Sequence, residues 1–474
     1  MMFLNMPSFL RRPRAIVRFL RWYWAVLLFV GEIGLYYWHI NSCNWPTSPT
    51  ADSTHVAIIA DPQIVDHYSY GQTGLLLRLV EFYTDIYMRK SYRLLQDIQQ
   101  PSVIINLGDL MDGGREWADD DWLPEYQRYR SIFTARYPMR VYEMAGNHDI
   151  GIGNTVVQGA LERFHKTVGP TNQVIELGGH QIVLLDTLTL ESDSPEVSSA
   201  SNKLVEWLAK QNDEHKPRLL FTHVPMWRPN NTLCGPLRQS LPWLRNRRGY
   251  QFRDQLFQNT TTYLLERIKP LAVFSGDDHD TCIVEHQVPG TTDKATEYTI
   301  GAFGWASGVP IASYALLTLY PEGFMIQNCF LPYQLGIYKT YVLSFVLSFV
   351  LLAHACSYRR YQGLKAWRGC DRWLSVGGLW RHWLISRYKK PEDGSIGGPE
   401  EEGEGEGAIR LTLLPIFQGN NSAETVAAVH NNGYRRQKLW RLLSGLFPSV
   451  VWAIRDIALV ATPFYISFIL FFYI

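Results

Sequence analysis

The stretch Val103-Ile104-Ile105-Asn106-Leu107-Gly108-Asp109-Leu110-Met111-Asp112 joins an apolar run to a pair of aspartates. The run predicts a buried β-strand, and the glycine and acidic residues after it predict a sharp turn. In α/β folds, functional residues collect at the carboxyl ends of strands. The stretch therefore predicts an α/β fold with a polar site at a strand end.

Four other motifs have the same form, a short apolar run followed by polar residues. They are Asp61-Pro62-Gln63, Gly146-Asn147-His148-Asp149, Thr222-His223-Val224-Pro225 and Gly276-Asp277-Asp278-His279. The apolar runs lie at 55–60, 141–145, 218–221 and 271–274, and further strands are predicted at 181–186, 298–302, 315–320 and 324–329. A helix over about 73–100 is expected to cover one sheet face. One motif alone is weak evidence, but five in order indicate a two-metal phosphoester hydrolase.

Two-metal hydrolysis needs a carboxylate that bridges the ions and further oxygen and nitrogen ligands on each. Asp109 is the predicted bridge, because it ends a strand and follows Gly108, where the backbone can approach an ion. The other predicted ligands are Asp61, Gln63 and His279 for one ion and Asn147, His223 and Asp277 for the other. Asp66 and His67 are alternatives to Gln63, and Asp280 is expected to orient His279. Taken singly, such residues are more often caps or core residues, but their joint occurrence favours ligands.

Three apolar stretches, 22–40, 335–356 and 457–474, have about the 20 residues that a membrane span needs. Basic clusters beside them predict a cytosolic segment 1–21, a lumenal domain 41–334 and a cytosolic, partly disordered segment 357–456. A cleaved signal peptide is the alternative for 22–40, although its apolar core is longer than a signal peptide needs. Glu32 inside that stretch is either functional or faces neighbouring helices. The net charge of +1 without a basic stripe argues against nucleic acid as a partner.

Four cysteines lie in the predicted lumenal domain, where an oxidising compartment favours disulfides. They allow three connectivities, and their positions favour Cys43 with Cys329 and Cys234 with Cys282. Asn230 and Asn259 begin two glycosylation sequons on the same segment.

The five motifs resemble the calcineurin-like metallophosphoesterases, whose pattern is Asp-x-His, Gly-Asp-x-x-Asp, Gly-Asn-His-Asp/Glu, a lone His and Gly-His-x-His. The resemblance implies a four-layer sandwich of two mixed sheets flanked by helices. It also implies that His148 is the acid beside the leaving group and that Asp112 orients it. Gln63 and Asp277 replace two histidines of the pattern, and the resulting oxygen-rich site favours Mn²⁺ over zinc. Arg115 is either a phosphate contact or a surface residue.

Within that family, the sequence resembles the endoplasmic-reticulum enzymes that remodel glycosylphosphatidylinositol (GPI) anchors. The resemblance rests on Asp61-Pro62-Gln63, on residues 108–115 and on residues 275–280. It implies a phosphodiesterase that removes an ethanolamine-phosphate side branch from a mannose of the anchor and so supports export of GPI-anchored proteins from the endoplasmic reticulum. The expected partners are GPI-anchored proteins or the GPI lipid, and cycling to the Golgi is left open. The alternatives are a membrane phosphatase or diesterase acting on a lipid phosphate, and a non-catalytic cargo receptor with a vestigial metal site.

Overall fold

Two β-sheets form the centre of the protein in this computed structural model, which describes residues 13–69, 71, 73–211, 216–361 and 450–472. The first sheet contains, in spatial order, β13 (Gly323–Phe330), β12 (Ser313–Tyr320), β1 (Thr54–Ile59), β2 (Val103–Asn106) and β3 (Arg140–Glu143). The second contains β10 (Cys282–Gln287), β11 (Lys294–Thr299), β9 (Ala272–Ser275), β6 (Arg218–Phe221), β5 (His180–Leu184) and β4 (Gln173–Leu177). A separate hairpin pairs β7 (Arg248–Gly249) with β8 (Phe252–Arg253).

Helices connect these strands and also precede and follow them in the chain. They are α1 (Pro13–Phe29), α2 (Leu35–Ser42), α3 (Gly74–Leu94), α4 (Asp119–Ile132), α5 (Asn147–Ile150), α6 (Gln158–Thr167), α7 (Thr187–Leu190), α8 (Pro195–Lys210), α9 (Gln258–Ile268), α10 (Gln334–Tyr361) and α11 (Val450–Phe472). Both sheets are mixed, because β1, β2 and β3 run parallel while β12 pairs antiparallel with β1, and in the second sheet β5, β6 and β9 run parallel while β4 is antiparallel.

Both faces of each sheet are buried, which explains why the central strands read as continuous apolar runs. Val56 of β1 lies in an apolar cluster with Phe221 of β6, so the two sheets pack face to face. Its neighbour Ala57 points to the opposite face and belongs to a cluster that contains Tyr87 of α3. On the second sheet, Leu220 belongs to that outer cluster. The predicted α/β sandwich of mixed sheets flanked by helices is confirmed.

Two features of the fold differ from the sequence prediction. Strand β11 begins at Lys294 and ends at Thr299, whereas the apolar pattern predicted 298–302. The helix predicted over 73–100 ends at Leu94 and continues as a π-helical turn, Leu95–Gln99.

Two described helical segments, Gln334–Ala355 and Val450–Phe472, are long and apolar enough to cross a bilayer. They correspond to the stretches predicted at 335–356 and 457–474, and the second begins at Val450, inside the predicted cytosolic segment. The number of spans and their orientation remain predictions. The partial disorder predicted for the segment 357–456 concerns residues that lie outside the described ones.

The stretch predicted as the first span is helical but is interrupted by a π-helical turn at Val30–Gly34. After this turn, the chain packs on the central domain. The Tyr36 hydroxyl donates to Gln334 Oε1 at 2.6 Å, and Gln99 Nε2 donates to the Ile40 carbonyl at 2.6 Å. Protein contacts therefore hold the second half of this stretch.

The contacts divide the chain into two units, of which the larger spans 25–343 and 462–474 and contains both sheets. In the described part of the smaller unit, α1, α10 and α11 share an apolar cluster that includes Ile16, Leu352 and Ala453. The Arg21 guanidinium donates to the Asp456 carbonyl at 3.0 Å in the same unit.

Glu32 forms a buried ion pair with Lys90 of α3 and accepts a hydrogen bond from the Tyr341 hydroxyl at 2.9 Å. Only 3% of Glu32 and 1% of Lys90 is exposed. The structure thus matches the second alternative for Glu32, in which its carboxylate faces neighbouring helices.

We expect Lys90→Met to destabilise the protein by about 3–5 kcal/mol, because it leaves the Glu32 carboxylate buried without a counter-charge. Denaturant unfolding of the full chain in detergent measures this change. The double variant Glu32→Gln/Lys90→Met is expected to recover most of the loss, since it removes both charges. Lys294→Met, which breaks an exposed ion pair with Glu285, is the matched control and should have little effect. Equal stability of Lys90→Met and the parent chain would contradict this prediction.

Candidate metal centre

Five strand ends meet at one edge of the sandwich. Asp61 follows β1, Asp109 follows β2 and Asn147 begins α5 directly after β3, and these three strands are parallel. His223 and Asp277 follow β6 and β9, which are parallel neighbours in the second sheet. Because the carboxyl ends of parallel strands lie at the same edge, the two sheets bring ligands to a shared site.

The acidic and imidazole ligands form two groups that share one residue. Oxygen and nitrogen atoms of Asp61, Asp109 and His279 lie within 4.8 Å of one another, as do those of Asp109, His223 and Asp277. This is the division between two ions that the sequence predicted, with Asp109 common to both. Each group has the donor atoms and spacing that a divalent cation needs.

Gln63 and Asn147 extend the two groups. Gln63 Nε2 lies 3.3 Å from Asp109 Oδ2, and Asn147 Oδ1 lies 3.0 Å from His223 Nε2. The Asn147 amide nitrogen donates to the Gln251 carbonyl at 3.0 Å, which directs its oxygen toward the ligands. All seven predicted ligands therefore come together.

The two alternatives to Gln63 are engaged elsewhere. Asp66 Oδ2 accepts hydrogen bonds from the Gly113 backbone at 2.9 Å and from Trp117 Nε1 at 3.1 Å. The His67 ring lies against Trp117, with ring centroids 3.6 Å apart. Both side chains contact the loop after Asp112 and do not turn toward the other predicted ligands.

The ligands sit on an unusual backbone. Among the described residues, nine non-glycine residues have positive φ, and five of these are predicted ligands: Asp61, Gln63, Asp109, Asp277 and His279. Left-handed conformations cost energy for residues with a Cβ, and such strain concentrates at functional sites. The surrounding fold therefore holds these five residues in a backbone conformation that their local sequence disfavours.

Close backbone approach explains two of the motif glycines. A Cβ on Gly146 would lie 2.0 Å from Asp109 Oδ1, and a Cβ on Gly108 would lie 2.7 Å from the Gly146 nitrogen. Gly108 also has φ of 114°, which disfavours any other residue. The sequence attributed Gly108 to contact with an ion, but its nearest neighbours are the Gly146 backbone and His223.

Burial makes the negative charge of the ligand carboxylates costly. Asp61 and Asp109 are 0% and 1% exposed. Burial raises the pKa of Asp61 to about 7, and the Asp109 charge adds to this shift while His279 and His223 oppose it. Burial lowers the pKa of His223, but the charge of Asp109, together with Asp277 and Asp61, raises it to about 10. Without metal, protons on Asp61 and His223 offset the negative charge of the buried carboxylates. Divalent cations can offset the same charge, so these residues fit a pair of metal ions.

We expect metal binding to release more protons at pH 6 than at pH 8. Without metal, His223 is protonated at both values, whereas Asp61 gains its proton only as pH falls through about 7. Binding should release about two protons at pH 6 and about one at pH 8, and apparent affinity should fall on acidification. Calorimetric titration with Mn²⁺ in buffers of different ionisation enthalpy measures this number. An equal number at both pH values would count against the prediction.

The predicted acid, His148, lies beside the ligands with its ring held by Asp112. Its Nδ1 is 3.1 Å from Asp112 Oδ1 and 2.6 Å from the Asp112 carbonyl. Burial lowers the pKa of His148, but the charge of Asp109 and the hydrogen bond and charge of Asp112 outweigh burial and raise it to about 9. His148 is therefore protonated at neutral pH, as a proton donor must be.

Asp149 is a functional residue that the sequence argument left without a role. Its carboxylate accepts hydrogen bonds from the backbone nitrogens of Gly146 at 2.8 Å and Leu110 at 3.1 Å. It thereby ties the Asp109 loop to the Asn147 loop. An acidic residue at the third position of a short helix is a capping signal, which could have identified it.

His279 is oriented by a backbone carbonyl and not by Asp280. Its Nδ1 lies 2.8 Å from the Ser307 carbonyl oxygen. Asp280 instead accepts hydrogen bonds from the backbone nitrogens of Gln239 and Ser240 at 3.0 and 2.7 Å. The prediction for Asp280 was wrong because its carboxylate closes the 234–245 loop.

Arg115 is buried, so the surface alternative for it is wrong. Its Nη1 donates to the Asn147 carbonyl at 3.0 Å, and its Nε donates to Gln251 Oε1 at 2.5 Å. These bonds give it a role in supporting Asn147. A contact with the substrate phosphate remains a prediction.

The structure contains the disulfides Cys43–Cys329 and Cys234–Cys282, the two pairings that the sequence favoured. The second joins the loop after His223 to the strand after His279. Asn230 and Asn259 are both exposed, and Asn259 lies in the first turn of α9.

Comparisons with known proteins agree with this geometry. Residues 54–281 match the family model described as calcineurin-like phosphoesterase. Cell division control protein 1 of Saccharomyces cerevisiae is 36% identical over 64% of this chain and 63% of its own length. Metallophosphoesterase 1 of Ailuropoda melanoleuca is 26% identical over 72% of this chain and 90% of its own, and its homolog in Caenorhabditis elegans is 22% identical over 69% and 89%.

The chain thus spans less than two thirds of the length of the yeast relative. It spans 89% and 90% of the length of the two animal relatives. The family match covers both sheets' ligand-bearing strands and all five motifs. The prediction of a metal-dependent phosphoesterase is confirmed for this domain. Residues 54–281 belong to the calcineurin-like phosphoesterase family.

Proposed function

We propose that this protein is a two-metal phosphodiesterase that removes an ethanolamine-phosphate side branch from a mannose of GPI anchors in the lumen of the endoplasmic reticulum. The observation that carries the chemical part is the pair of ligand groups sharing Asp109, with protonated His148 beside them. The substrate part rests on the sequence resemblance and on similarity to proteins named Metallophosphoesterase 1.

The reaction hydrolyses the phosphorus–oxygen bond to the mannose. Water adds to phosphorus on the side opposite this bond and gives up a proton to solvent, and the mannose oxygen leaves with a proton from His148. The products are ethanolamine phosphate and a free mannose hydroxyl. When bound, the metal ions supply Lewis acidity toward the phosphoryl oxygens and the attacking water. Asp112 keeps the His148 ring oriented and charged through its contacts at Nδ1.

Mn²⁺ is the metal we propose. Gln63 and Asp277 supply an amide and a carboxylate where the family pattern has imidazoles, and harder oxygen ligands favour manganese over zinc. Activity of the purified enzyme with zinc and none with manganese would refute this choice.

The lumenal location is supported by three features of the domain. Its two disulfides suit an oxidising compartment. Two exposed glycosylation sequons lie on it, at Asn230 and Asn259. It is also followed directly by the candidate span Gln334–Ala355. A membrane-tethered enzyme would meet GPI lipids at a raised effective concentration.

Mass spectrometry of anchor glycans tests the proposed substrate. Cells lacking the protein are rescued with the intact chain or with His148→Ala. We expect ethanolamine phosphate to persist on one mannose unless the intact chain is present. Identical glycans in all three lines would reject the anchor substrate and favour a lipid phosphate or a non-catalytic cargo receptor.

A further inference from the structure

An apolar cavity of about 500 Å³ lies beside the metal centre, within the larger unit. Val80 and Tyr83 of α3 form one wall, and Tyr338 and Tyr341 of α10 form another. Tyr465 of α11 also lines it. The last three residues belong to the two helical segments that are apolar and long enough to cross a bilayer.

The tyrosine hydroxyls around this cavity are used by the protein itself. The Tyr341 hydroxyl donates to Glu32, and Tyr338 hydrogen-bonds with Gln334. Tyr465 and Tyr83 hydrogen-bond with each other. What remains for a ligand is ring surface and aliphatic side chain. Apart from Trp305, such a lining suits hydrocarbon and offers a buried polar group no partner.

Trp305 separates this cavity from the metal centre. It lines both the apolar cavity and a small cavity formed by Asp61, Gln63 and Asp112. Its indole Nε1 is buried and has no hydrogen-bond acceptor among the described residues. Two residues later, the Ser307 carbonyl holds His279. One short loop thus contacts the apolar cavity and a metal ligand together.

The first turns of α3 expose leucines where the cavity meets the surface. Leu75 and Leu76 are 76% and 57% exposed, and Leu79 is 46% exposed while it also lines the cavity. Apolar residues clustered on a surface mark a site for protein or membrane contact. Beside two candidate membrane helices, this surface is suited to lipid.

We propose that the cavity binds an acyl chain of the membrane lipid that carries the substrate phosphoester, with Trp305 Nε1 donating a hydrogen bond to a head-group oxygen at the boundary. The head group then lies on the side of Trp305 that faces Asp61 and Gln63. This inference rests on the proposed phosphodiesterase and narrows its substrate to one still attached to lipid.

Photolabelling tests the acyl-chain site without requiring hydrolysis. The full chain is placed in phosphatidylcholine nanodiscs containing a phosphatidylinositol with a diazirine on its acyl chain, and chelator is present. We expect labelled peptides from α3 and from residues 334–343. Val80→Trp fills the cavity and should reduce this labelling by about tenfold. Leu76→Trp adds the same ring at an exposed position of α3 that does not line the cavity, and it should label like the parent.

Equal labelling in Val80→Trp and Leu76→Trp would overturn the proposal, as would labelling confined to peptides that do not line the cavity. Thermal unfolding checks that Val80→Trp is folded, and Val80→Phe replaces it if it is not. Because chelator prevents catalysis, this result is independent of the anchor-glycan experiment. If the anchor glycans are identical in all three lines but the cavity is still labelled, the anchor substrate is rejected and the acyl-chain site is retained.

Trp305→Phe tests the hydrogen bond at the boundary, because it keeps the ring and removes the Nε1 donor. We expect KM for a lipid-linked phosphodiester to rise about three- to tenfold, with kcat little changed. A change in kcat alone would mean that Trp305 acts on the metal loop and not on the lipid, which would overturn its assigned role.

Discussion

Asp109→Asn is expected to lose both metal ions and reduce phosphodiesterase activity to background. Asp109 is the residue common to the two ligand groups, so the loss of its charge weakens both sites together. Loss of an outer-shell partner already costs about 10–100-fold in metal affinity, and loss of a shared ligand should cost more. Metal content by mass spectrometry and turnover of a soluble phosphodiester measure the two effects.

Asparagine is the suitable replacement because Asp109 has φ of 54°, which asparagine tolerates better than alanine does. Asp120→Asn, at an exposed position in the first turn of α4, is the matched control and should keep metal and activity. An Asp109→Asn protein that retains two ions per chain would show that Asp109 does not bridge them.

His148→Ala is expected to reduce turnover by about a hundredfold to ten-thousandfold while metal content stays unchanged. Its imidazole belongs to neither ligand group, and the backbone nitrogen that donates to Asp109 at 2.9 Å remains in the variant. The lost activity therefore reports the proton that His148 gives to the leaving oxygen. Loss of metal from this variant would show that His148 acts as a ligand.

Asp112→Asn separates the charge of Asp112 from the His148 ring. The hydrogen bond and the charge of Asp112 both help to raise the pKa of His148 to about 9, so removal of the charge lowers that pKa. An acid must be protonated to act, and activity should then decline at a lower pH than in the parent enzyme. The Asp112 backbone carbonyl still holds Nδ1 in this variant, which limits the change to the charge.

The sequence predicted the central strands because their positions in the chain follow from local residue patterns. Strands buried on both faces appear as continuous apolar runs, as in β1, β2, β6 and β9, and their bounds agree with prediction to within about one or two residues. The hairpin of β7 and β8 has two-residue strands and was not predicted. Its connecting turn supplies Gln251, which supports both Asn147 and Arg115.

The sequence by itself determined which side chains form the candidate metal centre. Each predicted ligand lies within a few residues of the end of a strand, so a local motif indicates both its identity and its position. Tertiary structure alone decided what holds those ligands in place. Asn147 is held by the carbonyl of Gln251 and His279 by that of Ser307, from loops far away in the chain. Every residue has a backbone carbonyl, so such contacts depend on where the fold places the loop and leave no side-chain signal in the sequence.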